Sequence, residues 1–497
     1  MTAPTDPSRH PTPGQPGEVA AVIVLAAGGG TRMRSSRSKL LHELAGHPLL
    51  DYAVTAASGV EPQHVVVVVG HQRDQVEAHL SEIAPHVVIA VQPEQRGTGH
   101  AVQCALSRLA DLNGDVVVTM ADVPMLTGDT LTELVAAHRA AAAGVTVLTA
   151  LVDDPSGYGR VIRDPDGQVS AIVEHRDATP EQREVSEINS GIYVFDADLL
   201  RTGLDQITAD NAQNEFYLTD VVSIARRQGS PVRAHVTEDV WQTEGVNDRV
   251  QLARMGLEVN RRILDGWMRA GVSVLDPGST WVHASVDLAP DVTLLPGTFL
   301  QGATSVAAGA TLGPDVTLVD VEVGEGATVT RSQASLSVIG AGASVGPYAY
   351  LRPGTVLGVG GKIGTFVETK NTTIGAAAKV PHLSYAGDAV IGDGANIGAG
   401  TIFANYDGQA KSTSHVGRSS FVGSNSVLVA PVTIGDGAYV AAGSTVTGDV
   451  SPGQLAVGRG QQRNINGWVA RKRAGTKSAA AAAEALAEPA GQKESTS

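Results

Sequence analysis

The chain has 497 residues and a net charge of −15. That is long enough for two or three separately cored domains, and too acidic for a general nucleic-acid or membrane binder, although a local basic cluster could still hold phosphates. A single cysteine, Cys104, excludes an intramolecular disulfide and fits a reducing cytoplasm; it lies in the helical apolar stretch Ala101-Val102-Gln103-Cys104-Ala105-Leu106 and reads as a buried small hydrophobe rather than a nucleophile.

Residues 1–17 are rich in Pro, Thr and Ser and lack an apolar core, so they predict a disordered arm rather than a signal peptide or membrane span. Residues 19–25 form a continuous apolar run, as in a strand buried on both faces, and similar runs recur at 65–69, 87–91 and 116–120. Amphipathic stretches at 49–57 and 131–142 separate them. Such alternation predicts an α/β, Rossmann-like domain with a doubly wound, mostly parallel sheet, whose ligands bind at the carboxyl ends of strands. The chemistry-bearing residues cluster there. The first strand runs into Leu25-Ala26-Ala27-Gly28-Gly29-Gly30-Thr31-Arg32-Met33, where glycines let backbone amides approach phosphates and Arg32 offers a fork for their oxygens. Lys39 follows as a second cation. A Gly triplet by itself is an ordinary turn. The string is not a P-loop, and it lacks the third Gly of a dinucleotide fingerprint. Asp122 ends the run at 116–120; alone it reads as a turn or cap residue, and beside a phosphate loop as a Mg²⁺ ligand. Residues 247–271 read as a connecting helix, with Asn247 as the N-cap of a helix at 252–268.

Beyond it, aliphatic residues fall every sixth position: Ile339, Val345, Leu351, Leu357 and Ile363, then Val416, Val422, Leu428, Ile434, Val440 and Val446. A period of six fits neither a helix nor a simple alternating strand; it fits three short flat strands per coil, stacked as a left-handed parallel β-helix. Abundant glycine (57 residues) and scarce aromatics (4%) suit its tight corners. The rhythm starts near Val286, with Val286 and Val292, and continues to about Arg459, room for roughly nine or ten coils of ~18 residues. Residues 405–415 break it, and long excursions from a solenoid are usually functional. His382 stands where a coil should present aliphatics. A lone His is more often structural, but Arg352, Lys370 and Lys379 lie within a few coils of it; three cations stacked on one face would hold a phosphorylated ligand, unless they are simply a solvated basic face. From Ala474 the chain becomes an Ala-rich low-complexity tail whose alanines could form a frayed helix.

The string from Leu25 to Met33, with Lys39, resembles the L-x-x-G-x-G-T-R-[ML] signature of nucleoside-triphosphate:sugar-1-phosphate nucleotidyltransferases. Further matches follow in order: Gln92-Pro93-Glu94-Gln95-Arg96-Gly97-Thr98-Gly99-His100-Ala101 resembles the uracil-recognising loop, and Met120-Ala121-Asp122-Val123-Pro124 the metal motif. Gly157-Tyr158-Gly159-Arg160, Ile172-Val173-Glu174-His175, Glu187-Ile188-Asn189-Ser190-Gly191 and Glu244-Gly245-Val246-Asn247-Asp248-Arg249 complete the set. Together with Lys379-Val380-Pro381-His382-Leu383-Ser384-Tyr385 in the solenoid, the chain from Val19 to Arg459 resembles the bacterial bifunctional enzymes that join N-acetylglucosamine-1-phosphate uridylyltransferase to glucosamine-1-phosphate acetyltransferase.

The resemblance implies a uridylyltransferase domain at 18–246, a linker helix at 247–271, an acetyltransferase β-helix at 272–473 and a tail at 474–497. UTP and the sugar nucleotide would be held by Leu25, Ala26, Ala27, Gly28, Lys39, Gln92, Gly97, Thr98, Met120, Ala121, Asp122, Gly159, Glu174, Asn189 and Asn247, with Arg32 and Lys39 catalytic and Mg²⁺ on Asp122 and Asn247. Glucosamine 1-phosphate would be held by Arg352, Lys370, Tyr385 and Asn396, with His382 as general base polarised by Glu368. Ala399, Asn405, Tyr406, Ser424, Ala442 and Arg459 would line the acetyl-CoA site, Ser424 also steadying the oxyanion. The resemblance further implies a cytoplasmic homotrimer acting on small molecules in cell-wall precursor synthesis, with no nucleic-acid or membrane partner. Ser38 stands where the family usually has Pro, which would leave the loop around Lys39 freer. Ser384 and Ala386 replace a Thr and a larger residue beside His382, and Phe403 replaces a small polar residue, which would alter the fit of the acyl-CoA arm. A nucleotidyltransferase with a merely regulatory solenoid, a silent scaffold of the same architecture and a hexapeptide metalloenzyme are the rival readings; intact Arg32, Lys39, Asp122 and Asn247 oppose the scaffold, and no three-His constellation near His382 supports the metalloenzyme.

Overall fold

The computed structural model describes residues 19–109 and 112–487, and these form two compact units, one ending at Glu322 and the other beginning at Val323. The expected arm at 1–17 and residues 488–497 of the expected tail lie outside the described residues.

In the first unit the principal elements are β1 (Val19–Ala26), α1 (Leu49–Ser58), β2 (His64–Val69), α2 (Arg73–Ile83), β3 (Val88–Val91), α3 (Thr98–Leu106), β4 (Asp115–Met120), α4 (Gly128–Ala140), β5 (Val145–Leu151), β6 (Gly159–Arg163), β7 (Val169–Val173), β8 (Glu187–Asp196), α5 (Ala197–Leu204), α6 (Asp220–Arg227) and β9 (Val232–Val236). The strand order is β9-β5-β8-β4-β1-β2-β3, with β6 and β7 attached alongside β8. Neighbours pair in parallel except for β8, which runs antiparallel to β4, β5 and β6, and for the β6–β7 pair. Helices cover both faces, which is why β1 carries no polar residue. Val22 and Val24 pack with Leu50, Leu80 and Leu131 on one side, and Ile23 packs with Val102 and Leu200 on the other. Each such side chain, fully buried, stabilises the fold by roughly 1.5–3 kcal/mol. Strand order reverses at β1, flanked by β2 and β4, so the loops leaving its carboxyl end and that of β4 part to open a crevice.

A long helix, α7 (Arg249–Arg269), closes the sheet's sequence and starts three residues before the expected 252. Its N-cap is Asp248, whose carboxylate accepts from the backbone N–H of Val250 and Gln251 at 2.9 Å, so Asn247 is not the cap. Nor is the helix a bare connector: Met255 and Val259 are buried with Leu44, Leu49 and Met125, and the buried Asn260 donates to Thr280 O (2.8 Å) and accepts from Val282 N (3.0 Å). Those last partners belong to the first solenoid turns, which begin pairing at Ser273–Val274 and Trp281–Val282, before the sequence rhythm at Val286 becomes regular.

The second unit is a parallel β-helix with three ladders. One runs Ser344, Lys362, Lys379, Asn396, Phe421, Tyr439, Leu455; a second runs Tyr350, Glu368, Tyr385, Ile402, Val427, Thr445; a third runs Val338, Val356, Thr373, Val390, His415, Thr433. The six-residue anchors Ile339, Val345, Leu351, Leu357 and Ile363 all point inward and are buried. Phe403 is likewise fully buried inside its coil, so it does not face an acyl-CoA arm; the exposed neighbour is Ile402. After Leu455–Ala456 the chain leaves the coil, and two exposed helices, α8 (Trp468–Lys472) and α9 (Lys477–Ala487), bury none of their residues.

Candidate active sites

The crevice at the end of β1 is a cavity of about 230 Å³ lined by Leu25, Ala26, Ala27, Gly28, Lys39, Gln92, Gly97, Thr98, Met120 and Asp122, all expected at a nucleotide site, together with Gln95. Two glycines are required by geometry. Gly30 has φ +55°, and a Cβ there would lie 2.8 Å from that of Lys39; Gly97 has φ +103°, and a Cβ there would lie 2.5 Å from Phe216 O. Lys39 Nζ donates to Asp122 Oδ2 at 2.5 Å, with their side chains only 10% and 19% exposed. Asn247 arrives from the far end of the domain because Val246 N donates to Asp122 O at 2.8 Å. Its Oδ1 accepts from Arg32 Nη2 at 2.9 Å and lies 3.5 Å from Lys39 Nζ. Freed from capping, Asn247 thus joins Arg32, Lys39 and Asp122 beside the glycine-rich loop. Ala121 is buried beneath the cavity, its N–H donating to Leu25 O. Ser38 does not loosen the loop: it is buried, and its N–H, which a Pro would lack, donates to Gln75 Oε1 at 2.9 Å.

Gly159, Glu174 and Asn189 form a second group. A Cβ on Gly159 would lie 3.4 Å from the Asn189 Cβ and 3.5 Å from the Glu174 carboxylate, so glycine keeps that space open. Gly191 abuts Met120 and joins this group to the cavity. Burial, with Asp177, Asp220 and Glu215 nearby, pushes the Glu174 carboxyl above the usual carboxylate range. Cys104 is only half-buried, beside His100.

In the second unit, Arg352 donates to Glu368 Oε1 at 2.8 Å, and Lys370 lies one strand on. Lys379 does not join them: it belongs to the ladder of Lys362 and Asn396, around the corner from that of Glu368 and Tyr385. The third cation is Lys411, from the excursion, whose ammonium lies close enough to hold the Lys370 pKa below the usual lysine range, with Arg352 adding to the effect. The Asp388 carboxylate offsets part of this repulsion, and a further anion would relieve the rest. Sequence reasoning missed Lys411; its position inside the Asn405–His415 interruption was the available signal. It also missed Asp388, which accepts from Asn371 Nδ2 at 2.7 Å and from Asn405 Nδ2 at 2.5 Å and so anchors the base of that excursion. Asn405 Nδ2 is 3.5 Å from the Tyr385 hydroxyl, and Tyr406 bridges to Lys411.

His382 sits at a corner where the chain passes between the two ladders. Its ring is exposed and makes no hydrogen bond among the described residues, while its carbonyl accepts from Gly400 N and from the buried Ser384 Oγ. The same corner continues up the solenoid: Ala399 O accepts from Asn425 N, Ser424 O from Gly443 N, and Ala442 O from Arg459 Nη1 at 3.0 Å. His382, Ala399, Ser424, Ala442 and Arg459 therefore form one column. Asn405 and Tyr406 lie on a different corner, at Asp388, midway along the strand that Tyr385 begins.

A nucleotidyl transferase family model matches residues 21–253, and a bacterial transferase hexapeptide model (six repeats) matches 413–448. The chain is 52% identical over 470 residues to the bifunctional protein GlmU of Corynebacterium efficiens, covering 94% of this chain and 97% of the relative. It is 55% identical over 483 residues to that of Kineococcus radiotolerans, covering 97% and 98%, and 55% identical over 473 residues to that of Rhodococcus opacus, covering 94% and 95%.

Proposed function

The chain belongs to the bifunctional GlmU family, and we propose that it acetylates glucosamine 1-phosphate with acetyl-CoA and then couples the product to UTP, releasing pyrophosphate and forming UDP-N-acetylglucosamine. We assign the second reaction to residues 18–246 and the first to 272–473, joined by the helix at 247–271.

The observation that carries the uridylyl reading is the convergence of Asp122, Asn247, Arg32 and Lys39 beside the phosphate loop. A sugar-phosphate oxygen attacks the α-phosphorus in line as the bond to pyrophosphate breaks, so the protein's task is positioning and charge neutralisation. Arg32 and Lys39 supply positive charge to the phosphates; Lys39 would exchange its carboxylate partner for a nucleotide oxygen. A divalent cation fits the donor set, because a carboxylate and an amide oxygen, both hard ligands, already converge on one ammonium. Asp122 and Asn247 would hold Mg²⁺, which supplies charge neutralisation at phosphate oxygens when bound. Gln92, Gly97 and Thr98 would recognise the base, and Gly159, Glu174 and Asn189 the sugar.

For acetyl transfer, Arg352, Lys370 and Tyr385 would bind glucosamine 1-phosphate, with Lys411 beside Lys370; Asn396, expected with them, shares the ladder of Lys379 and would reach the ligand only from around the corner. The amine attacks the thioester carbonyl, His382 takes its proton, Ser424 steadies the oxyanion, and CoA leaves as the thiolate. Glu368 is committed to Arg352 in this structure, so its contribution to His382 would require an exchange of partners. Ala399, Ser424, Ala442 and Arg459 would line the acyl-CoA path along their corner. Asn405 and Tyr406 occupy another corner, which supports a homotrimer in which a second copy completes the pocket; light scattering reporting a monomer would reject it. No described helix is long and apolar enough to cross a membrane. The substrates place the enzyme in the cytoplasm, and the product serves peptidoglycan and cell-shape synthesis. Separate assays of the two half-reactions with purified protein test the whole reading, which requires product from both.

A further inference from the structure

Gln92 lines the cavity beside the phosphate loop, and its amide is held in one orientation. Its Nε2 lies 3.0 Å from Gly97 O and 3.2 Å from His100 Nδ1. A carbonyl oxygen only accepts, so the amide atom facing Gly97 is the nitrogen. The second proton of that NH₂ is then directed at His100, whose Nδ1 must accept and carries no proton. The proton of the neutral ring is left on Nε2, 3.7 Å from Cys104 Sγ.

Neither end of this arrangement is free to drift. Gln92 N donates to Val69 O at 2.8 Å, which fixes its backbone to the end of β2. The carbonyl of Gly97 is set by a loop clamped against Phe216: Gly99 N donates to Phe216 O and Phe216 N to Arg96 O, each at 2.8 Å, while Leu218 N donates to Thr98 Oγ1 at 3.1 Å. His100 is on the first turn and a half of α3, so its ring position follows from the helix. With both amide protons committed, Oε1 is the Gln92 amide atom with no hydrogen-bond partner among the described residues.

We propose that His100 is a positioning residue that tightens the base specificity of uridylyl transfer. By accepting the second Nε2 proton it adds to the Gly97 carbonyl in holding the Gln92 amide, and the two together leave Oε1 to accept the N3–H of uracil. A flipped amide would present an NH₂ instead, which suits the unprotonated N3 of cytosine. The proposal rests on Gln92 being the base-contacting residue of the uridylyl site.

The test compares kcat/KM for UTP and CTP in the full chain, with acetyl transfer measured on the same samples as a check of folding. His100→Leu keeps much of the bulk and removes the acceptor; His100→Asn places Oδ1 on the branch that His Nδ1 occupies. His100→Leu should lower the UTP-over-CTP preference about three- to tenfold, the worth of one net hydrogen bond. His100→Asn should keep the preference within about twofold. If the imidazole matters only for packing, both variants lose activity on both nucleotides and the ratio stays put, which overturns the proposal. Gln92→Leu separates the two levels. If it lowers the preference while His100→Leu does not, the positioning role alone is wrong; if it leaves the preference intact, the base-contact reading falls as well.

Discussion

Lys39 Nζ and Asp122 Oδ2 lie 2.5 Å apart, although 83 residues separate them in the chain. The contact exists because β1 and β4 are adjacent parallel strands, so their carboxyl ends lie side by side and the two side chains reach each other in the crevice that opens there. It also leaves the Asp122 carboxylate facing the cavity beside the glycine-rich loop.

Asp122→Ala should therefore lower uridylyl transfer by about 10²-fold or more, the scale seen when one preorganised electrostatic contact to a transition state is removed. Acetyl transfer should stay near wild type, because Asp122 belongs to the other unit. UDP-sugar formation at near wild-type rate in limiting Mg²⁺ would remove Asp122 from the site.

The continuous apolar strand at 19–25 and the six-residue rhythm from Ile339 were legible because burial on both faces and inward anchors each leave a periodic signature. The cavity-lining residues of the glycine-rich turn were legible through their local string. Long-range pairings left no such trace: nothing near Asn247 in sequence announces Arg32 or Lys39, and a residue one place before a capping Asp reads as the cap itself. Lys379 and Lys370 looked alike in sequence, yet a solenoid corner lies between them, and only the register assigns each to its ladder. Phe403 went the same way, since in a three-residue strand the inward position is decided by the coil, not by the residue type.

Lys411 gives a direct test of the anion site proposed in the solenoid. Its proximity depresses the Lys370 pKa, and the Asp388 carboxylate offsets only part of that repulsion, so a negative ligand would relieve the remainder. Lys411→Met should raise the KM for glucosamine 1-phosphate about tenfold, with a smaller effect on KM for acetyl-CoA, and should weaken the salt dependence of the former. Equal changes in both KM values would place Lys411 elsewhere.

Asn260 and the buried face of α7 bear on where the chain can be cut. A fragment ending near Gly271 loses Thr280 and Val282, the partners of Asn260, whereas one ending at Glu322 keeps them. Both fragments should retain uridylyl transfer on supplied N-acetylglucosamine 1-phosphate. The longer one should melt several degrees higher, since a domain of this size moves about 2–4 °C per kcal/mol. Equal melting temperatures would show that the first solenoid turns add nothing to the nucleotidyltransferase fold.

His138 is buried on α4, its Nδ1 3.0 Å from Thr146 Oγ1 and its Nε2 3.7 Å from Asp115. Burial holds its pKa below the ordinary 6.5, with Arg139 acting in the same direction and Asp115 and Asp196 opposing. The folded state therefore resists a proton that the unfolded chain accepts below about pH 6.5, and stability should fall as pH drops through that value, by at most about 1.4 kcal/mol per unit for one group. Above it His138 contributes no slope. Denaturant titrations at several pH values should show the slope reduced in His138→Gln. His42 and His283, also held low chiefly by burial, should retain a remainder. An unchanged slope would mean that His138 protonates equally in both states.

His382 is the last and most discriminating position. It shares a solenoid corner with Ala399, Ser424 and Ala442, one residue column on which Arg459 also lands, and its exposed ring has no hydrogen-bond partner among the described residues. An ammonium nucleophile is inert until it loses its proton, and a positioned base typically contributes about 10²–10⁴-fold. His382→Ala should therefore reduce acetyl transfer by that factor. Uridylyl transfer should persist, and glucosamine 1-phosphate binding should weaken only modestly, because Arg352, Lys370 and Lys411 remain. The corner itself should survive, since its hydrogen bonds use the His382 carbonyl and not the ring. Acetyl transfer within a few-fold of wild type from about pH 6 to 9 would make His382 a binding or structural residue and place the base elsewhere.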